Sequence, residues 1–205
     1  LLSRQKIKMT SQLDTVKTAL AEAKEALDNL VANESVQQEI VRAAQVMIES
    51  LKHGGKILSC GNGGSLCDSM HFAEELSGRF RLDRDPIGAV SMSDPSHMSC
   101  VGNDYGYEEV FSRYLRAVGR KGDVLLAITT SGTSKNVVRA AEEARKLGIK
   151  VVALTGKPDS QICRLADVAV VTPGGRFADR VQELHIKVIH ILIELIEGGL
   201  ASAKN

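Results

Sequence analysis

The segment Ser59–Arg79 combines residue types that can bind a polar ligand with residue types that can move a proton. Its glycine-rich turn at 61–64 leaves room for backbone N–H groups to come close to a ligand. The helix predicted after this turn offers its positive end to an anion. His71 and Glu75 lie four residues apart on that helix and therefore share one face. The segment predicts a cradle for polar ligand atoms beside a base or a metal-ligand pair.

A second stretch, Thr129–Ser134, reads TTSGTS and places five hydroxyl groups around one glycine. Hydroxyls and free N–H groups at the start of a helix suit a phosphate monoester. A Walker lysine, which an NTPase loop requires, is absent from the stretch. A helix N-cap would need one hydroxyl and not five, so the pattern favours phosphate binding over capping alone.

Other interpretations of these residues stay open. The spacing Gly61-x-Gly63-Gly64 is not the dinucleotide fingerprint GxGxxG, and no acidic residue ends the next predicted strand, which weakens a nucleotide site. The glycine turn could serve packing alone. A single glutamate such as Glu75 more often lies on a solvated helix face. His190 lies in the nearly all-apolar run IKVIHILIELI, where a histidine is more often a core residue than a catalyst.

The elements that position these motifs follow from the hydrophobic periodicity. Apolar runs separated by helical segments of about 10–15 residues predict βαβ units and a parallel sheet with helices on both faces. In such a sheet ligands bind at the carboxyl ends of the strands, where the polar stretches above are found. The predicted strands are 56–60, 87–91, 123–128, 150–154 and 167–171; the predicted helices are 11–32, 36–52, one after the glycine turn, 94–101, 107–118, 135–147 and 178–197, with a loop at 102–104.

The first predicted helix, 11–32, carries a narrow apolar stripe. Its apolar residues step by three and four, the spacing of a coiled-coil or bundle seam. This stripe could pack on its own domain or on another copy of the chain. The residues of the stripe are Leu13, Val16, Leu20, Ala23, Leu27 and Leu30.

The composition is that of an ordinary globular domain. The chain has 205 residues, 43% of them apolar and 25% charged, enough for one domain with a core. A net charge of +1 and 3% aromatic residues argue against a nucleic-acid partner. No apolar run reaches the ~18 residues of a membrane span. Four cysteines without CxxC pairing indicate a reducing compartment, and the first residues lack a secretory signature.

Taken in order, CGNGGS…MHFAEEL, SD…GND, TSGTS and ADRVQELHIKVIHILIELIE closely resemble the phosphoheptose isomerases, a family with the sugar isomerase (SIS) domain. The resemblance runs from about residue 35 to 197. It implies an aldose–ketose isomerase that converts sedoheptulose 7-phosphate to D-glycero-D-manno-heptose 7-phosphate through an enediol. That reaction is the first step of ADP-heptose biosynthesis for the lipopolysaccharide core.

The same resemblance implies an α/β fold with a single SIS-type domain, a five-stranded parallel sheet flanked by helices, and an N-terminal helix used in oligomer packing. It also implies a cytoplasmic homotetramer with active sites between subunits, one zinc ion per subunit and no nucleotide cofactor. The expected organisation is an N-terminal extension at 1–10, a helix at 11–35 and the SIS domain at 36–200. Met9 is a candidate natural start, with residues 1–8 derived from cloning or from an alternative start.

Matching positions imply roles for single residues. Glu75 would be the base for the carbon-bound proton, and His190 the acid or base at the sugar oxygens. The implied zinc ligands are His71, Glu75, Gln182 and His190. The implied sugar-phosphate contacts are Asn62, Gly63, Gly64, Ser65, Glu75, Asn103, Asp104, Thr129, Thr130, Ser131, Ser134, Asp179 and Gln182.

Two details qualify this assignment. Gln182 and His190 are eight residues apart, about 12 Å along a continuous helix. Either Gln182 precedes the helix, or the ligands come from different subunits.

Thr129 stands where the family commonly has Ser and keeps the hydroxyl, whereas Leu66 replaces a frequent polar residue. His185, near the start of the same predicted helix, is expected to be exposed.

The alternative function is not enzymatic. A protein of the same fold binds the replication initiator DnaA, and that protein lacks the glutamate and histidine at the positions of Glu75 and His190. Both residues are present here, which favours the isomerase.

Overall fold

Helices and strands alternate along the chain in this computed structural model, which describes residues 11–175 and 177–201. The elements are α1 (Gln12–Val31), α2 (Glu34–Lys52), β1 (Ile57–Cys60), α3 (Gly64–Ser77), β2 (Ala89–Ser91), α4 (Pro95–Tyr105), a 3₁₀ turn (Tyr107–Glu109), α5 (Val110–Val118), β3 (Val124–Thr129), α6 (Lys135–Lys146), β4 (Lys150–Thr155), α7 (Gln161–Leu165), β5 (Val168–Val171) and α8 (Ala178–Ala201). The expected N-terminal extension, residues 1–10, lies outside the described residues. The domain boundaries stay a prediction.

The described strands form one sheet in the order β2-β1-β3-β4-β5, and every neighbouring pair is parallel. This confirms the predicted five-stranded parallel sheet. The chain leaves β1 for β2 on one side and later returns to β3 on the other side of β1. Such a reversal opens a crevice at the carboxyl ends of the two central strands. The loops after β1 and β3 therefore meet there, and these are the glycine turn and the hydroxyl-rich loop.

Two apolar layers cover the two faces of the sheet because successive strand residues point to opposite sides. In β3, Val124, Leu126 and Ile128 face a layer with α2, α3 and α8. Leu125 and Ala127 of the same strand face a layer with α4, α5 and α6. All of β3 is buried, which explains why the strand reads as a continuous apolar run rather than an alternating one.

The fourth helix extends further than the sequence predicts. Asp94 caps it by accepting a hydrogen bond from His97 N–H, and Pro95 occupies its first position. The helix ends at Gly106, which has a φ of 89°, a conformation that favours glycine. The predicted loop at 102–104 is therefore wrong, because this segment forms the end of α4. The short helix α7 was not predicted.

The N-terminal helix buries only its last turns within the chain. Ala26 and Leu30 join the core layer with α2 and α8. Leu13, Val16 and Leu20 of the predicted seam are 61%, 54% and 67% exposed. The first half of the seam thus has no cover from the described part of its own chain. Among the described residues, no helix is long and apolar enough to cross a membrane.

Candidate active site

The glycine turn after β1 is shaped by close backbone contacts. A Cβ at Gly61 would lie 2.5 Å from the backbone oxygen of Ser65, so a side chain there would displace the start of α3. Gly63 has a φ of 53° and caps α3 without a side-chain hydrogen bond. The start of α3 therefore has no capping side chain, although the N–H groups of Ser65 and Leu66 already donate to the backbone oxygens of Asn62 and Gly63, at 3.0 Å each.

A pair of amides fastens this turn to the start of α6. Asn62 Nδ2 donates to Asn136 Oδ1 at 2.9 Å, and Asn136 Nδ2 donates back to Asn62 Oδ1 at 2.8 Å. Tyr107 Oη also donates to Asn62 Oδ1, at 3.3 Å. Asn136 is buried, and the sequence pattern gave no signal for it. The side-chain amide of Asn62 is therefore engaged within the protein, and its contact with a substrate stays a prediction.

The hydroxyl-rich loop after β3 gathers its side chains around Thr129. Thr129 Oγ1 lies 3.0 Å from Ser134 Oγ and 3.4 Å from Ser131 Oγ, and it accepts a hydrogen bond from Gly132 N–H at 3.2 Å. Ser134 occupies the N-cap position of α6 but makes no side-chain capping bond. The loop therefore presents hydroxyls and helix N–H groups together, which is the chemistry that binds a phosphate monoester.

Helices α3 and α8 bring two histidines together. His71 Nε2 and His190 Nε2 lie 2.9 Å apart, and their rings meet edge to face with centroids 5.2 Å apart. Glu75 Oε1 lies 3.6 Å from His71 Nε2, and Glu74 Oε1 lies 3.0 Å from His71 Nδ1. The two imidazoles and the Glu75 carboxylate thus lie together in one half-buried place. The spacing of His71 and Glu75 on α3 accounts for their proximity, and the packing of α8 on α3 adds His190.

The surroundings of His190 favour its neutral form. Burial is the largest cause that lowers the pKa of His190, and positive charge on His71 or Lys187 lowers it further, while Glu75 opposes them. The Phe80 ring lies 5.7 Å from the His190 ring. The interpretation of His190 as a core residue is wrong, because the side chain is half-buried and faces His71.

The donor set suits a zinc ion. Zinc prefers imidazole nitrogens and carboxylate oxygens in a tetrahedral arrangement. His71, Glu74 and Glu75 offer ligand atoms within 4.8 Å of one another. His190 Nε2 lies 2.9 Å from His71 Nε2. Glu74 was not among the expected ligands. Its position on His71 Nδ1 fits the outer carboxylate that commonly orients a metal-binding histidine.

A model of the SIS domain family matches residues 20–156. The phosphoheptose isomerase of Cytophaga hutchinsonii is 59% identical over 186 residues, which cover 91% of this chain and 97% of the relative. The phosphoheptose isomerase of Histophilus somni is 57% identical over 192 residues, covering 94% and 98%. The structure of phosphoheptose isomerase GmhA from Neisseria gonorrhoeae matches with a TM-score of 0.84 and 38% identity, covering 92% of this chain and 100% of that chain. The chain belongs to the phosphoheptose isomerase family.

The resemblance inferred from the sequence motifs is thereby confirmed. A second solved phosphoheptose isomerase, from Francisella tularensis, has a TM-score of 0.86 at 32% identity and covers 91% of this chain and 98% of that chain. These relatives give no support to the DnaA-binding alternative. The crevice, the hydroxyl-rich loop and the paired histidines therefore belong to a member of the phosphoheptose isomerase family.

In this family member, Gln182 does not precede the last helix. It lies inside α8, on the same continuous helix as His190, so the first of the two arrangements considered for the zinc ligands is wrong. Gln182 Nε2 donates to Asp68 Oδ1 at 2.7 Å. Burial raises the pKa of Asp68 to about 6, although the Gln182 hydrogen bond and His71 act in the opposite direction. Asp68 was not expected at the site.

Three of the remaining expected contacts lie on exposed surface. Asn103 Nδ2 donates to Asp104 Oδ1 at 2.7 Å, and both residues sit on the last turn of α4. Asp179 is exposed in the first turn of α8 and accepts from Arg180 N–H at 2.8 Å. Thr130 is half-buried, with its backbone oxygen bonded to Gly156 N–H. The expectation that His185 is exposed is wrong, because its side chain is fully buried.

Arg84 holds the end of α3 against α8. Its Nη1 and Nη2 donate to the backbone oxygens of Leu76, at 2.7 Å, and Glu75, at 2.6 Å. Its Nε donates to Glu197 of α8 at 2.8 Å, and both side chains of this ion pair are mostly buried. The guanidinium thus satisfies carbonyls that a helix end leaves free and fixes the turn that carries Glu75.

Proposed function

We propose that this protein converts sedoheptulose 7-phosphate to D-glycero-D-manno-heptose 7-phosphate, the first step of ADP-heptose biosynthesis for the lipopolysaccharide core. The observation that carries the proposal is the meeting of His71, His190 and Glu75 beside a crevice that can bind a phosphate. An aldose–ketose isomerisation needs a base at the C1–C2 bond and a group that handles the two oxygens. The site offers both, and they lie on two helices packed against each other.

Glu75 is the proposed base. Its carboxylate takes a proton from C1 of the ketose, and the C2 oxygen gains a proton, which gives the enediol. The C1 oxygen then loses its proton while Glu75 returns a proton to C2, so that the product is the aldose. His190, whose neutral form is favoured, exchanges the proton with the oxygens. Each such group contributes ~10²–10⁴ in rate.

The phosphate is anchored away from the reacting carbons. His71 follows Gly64 by seven residues, about 10 Å along α3, which leaves room for a sugar chain between the two. The proposed contacts are, as the resemblance implies, Asn62, Gly63, Gly64, Ser65, Glu75, Asn103, Asp104, Thr129, Thr130, Ser131, Ser134, Asp179 and Gln182.

One zinc ion per subunit is the proposed cofactor. His71, Glu75 and His190 would hold it within one chain, and when bound it would polarise the substrate carbonyl. The fourth proposed ligand, Gln182, lies about 12 Å from His190 along α8. We therefore propose that a second subunit completes the set. No nucleotide cofactor is proposed.

The proposed assembly is a homotetramer with active sites between subunits. The exposed half of the α1 seam supports it, because apolar residues at coiled-coil spacing need a partner helix. We also place the protein in the cytoplasm, without a nucleic-acid or membrane partner. Its cysteines are free, which fits a reducing compartment.

The deciding experiment is conversion of sedoheptulose 7-phosphate by the purified full chain, followed by NMR of the sugar. Wild-type protein should form the aldose and should exchange a carbon-bound proton with solvent deuterium. Glu75→Gln should bind the substrate without either event. A wild-type protein that neither forms product nor exchanges the proton would remove this function. The assembly is tested separately, by measuring the molar mass with light scattering at falling protein concentration. Activity that survives in a monomer would contradict active sites shared between subunits.

A further inference from the structure

A buried carboxylate lies between the glycine turn and the histidine pair and has no role in the reaction described above. Asp68 is in the second turn of α3 and is 3% exposed. Its Oδ2 atom is buried without a hydrogen-bond partner in the described part of the chain. Burying a carboxylate is costly, and an unsatisfied buried oxygen in a folded protein calls for a functional or structural reason.

The other oxygen of Asp68 has a defined partner. Gln182 Nε2 donates to Asp68 Oδ1 at 2.7 Å. A glutamine amide has a donor end and an acceptor end, and an ionised carboxylate can only accept hydrogen bonds. The NH₂ end of Gln182 must therefore face Asp68. Consequently, the carbonyl end, Oε1, is turned away from Asp68.

The glycine turn leaves room for this arrangement. A Cβ added at Gly64 would lie 3.4 Å from Gln182 Cγ and 3.7 Å from its Cδ. Gln182 thus lies against the first turn of α3, and Asp68 follows Gly64 by one helical turn, on the same face.

We propose that Asp68 is a positioning residue that fixes the amide orientation of Gln182, so that the carbonyl oxygen of Gln182 is always the atom offered to the sugar phosphate or its metal ion. This rests on the proposed function, in which Gln182 contacts the substrate or the ion. An amide free to rotate by 180° would present its donor end to the ligand instead, and turning it back has a cost. Holding it in advance removes that cost from binding.

The test compares four full-length proteins, each also carrying Glu75→Gln so that bound sugar is not turned over. They are the parent, Asp68→Asn, Gln182→Ala and the Asp68→Asn/Gln182→Ala double variant. Asp68→Asn is nearly isosteric but allows either amide orientation. Affinity for sedoheptulose 7-phosphate is measured by calorimetry. Asp68→Asn should weaken binding about tenfold, a typical effect of losing an outer partner of a ligating side chain.

The double variant separates positioning from an independent effect. If Asp68 acts through Gln182, Asp68→Asn adds nothing once Gln182 is alanine. An unchanged affinity for Asp68→Asn, or a full additional loss in the double variant, would overturn the proposal. Glu183→Gln, an exposed neighbour of Gln182 on α8, is the matched control and should bind normally. The melting temperature of Asp68→Asn should equal or exceed that of the parent, because a buried charge is removed.

A second measurement needs no ligand. The side-chain NH₂ of Gln182 is observed by NMR after ¹⁵N-glutamine labelling and assigned by its loss in Gln182→Ala. Its protons should be shifted and protected from exchange in the wild-type protein, and Asp68→Asn should reduce both effects. A Gln182 signal that Asp68→Asn leaves unchanged would refute the positioning role. Wild-type protein without sugar binding or turnover would instead refute the proposed function, and the NMR result would still decide the orientation.

Discussion

His71 Nε2 and His190 Nε2 lie 2.9 Å apart although 119 residues separate them along the chain. Between two neutral imidazoles at this distance one nitrogen donates and the other accepts. Protonation of both would place two like charges in contact, which is one reason why the pKa of His190 is lowered, after burial. The accepting Nε2 lone pair holds this hydrogen bond, and a metal ion or a substrate hydroxyl would take its place on binding.

Replacing Glu75 with Gln should reduce turnover of sedoheptulose 7-phosphate by ~10²–10⁴ while leaving the fold intact, because the amide cannot take the carbon-bound proton. The comparison variant is Glu74→Gln, which changes the adjacent carboxylate. Glu74 contacts the far nitrogen of His71 at 3.0 Å, so its loss should cost about tenfold. Steady-state kinetics with circular dichroism of both variants decide the point. Equal losses in the two variants would remove the special role of Glu75.

The sequence alone predicted the fold well because local patterns determine it. The apolar runs of β1 and β3 and the glycine turn between β1 and α3 are short-range signals. The sequence also predicted that His71 and Glu75 share a face, since helical geometry guarantees it.

What the sequence could not predict depends on packing between distant segments. Asn136 and Asp68 are polar residues inside helices and look like solvated positions, yet contacts with Asn62 and Gln182 bury them. His185 was expected at the surface because it is near a helix start. Its side of α8 faces the sheet instead, so the side chain is buried.

Asn136 should be required for tight substrate binding. Asn136→Asp replaces the NH₂ group that donates to Asn62 with an acceptor, so that two oxygens would face each other. We expect the KM for sedoheptulose 7-phosphate to rise about tenfold, since the glycine turn loses one of the two hydrogen bonds between Asn62 and Asn136, whereas kcat changes less. Tyr107→Phe removes the longer, more exposed bond to Asn62 and should change the KM less than threefold. A larger effect of Tyr107→Phe than of Asn136→Asp would contradict this ranking.

Arg84 should stabilise the protein more than a surface arginine does. Arg84→Lys keeps the charge but loses most of the bonds to the end of α3, and we expect the free energy of unfolding to fall by about 2 kcal/mol, below the usual cost of breaking a fully buried pair. The matched control is Arg81→Lys, in an exposed ion pair with Glu194, which should change stability by less than about 0.5 kcal/mol. Urea unfolding measures both. Similar losses in the two variants would show that the contacts of Arg84 with α3 and Glu197 do not contribute to stability.

His185 should make a contribution to stability that is lost in mild acid. Both ring nitrogens are buried, and burial lowers the pKa of His185 to about 4 from 6.5, although the Thr155 backbone acts in the opposite direction. The unfolded chain then binds a proton below pH 6.5 that the folded protein accepts only near pH 4. The stabilisation is complete above pH 6.5 and is lost as the pH falls toward 4, with a loss of about 2 kcal/mol between pH 7 and pH 5. Urea unfolding at these two pH values should show a smaller loss in His185→Leu, or in His185→Gln if the leucine variant does not fold, whereas the exposed control His53→Gln should behave as wild type. An identical pH dependence in wild type and the His185 variant would mean that this side chain is not the buried neutral group.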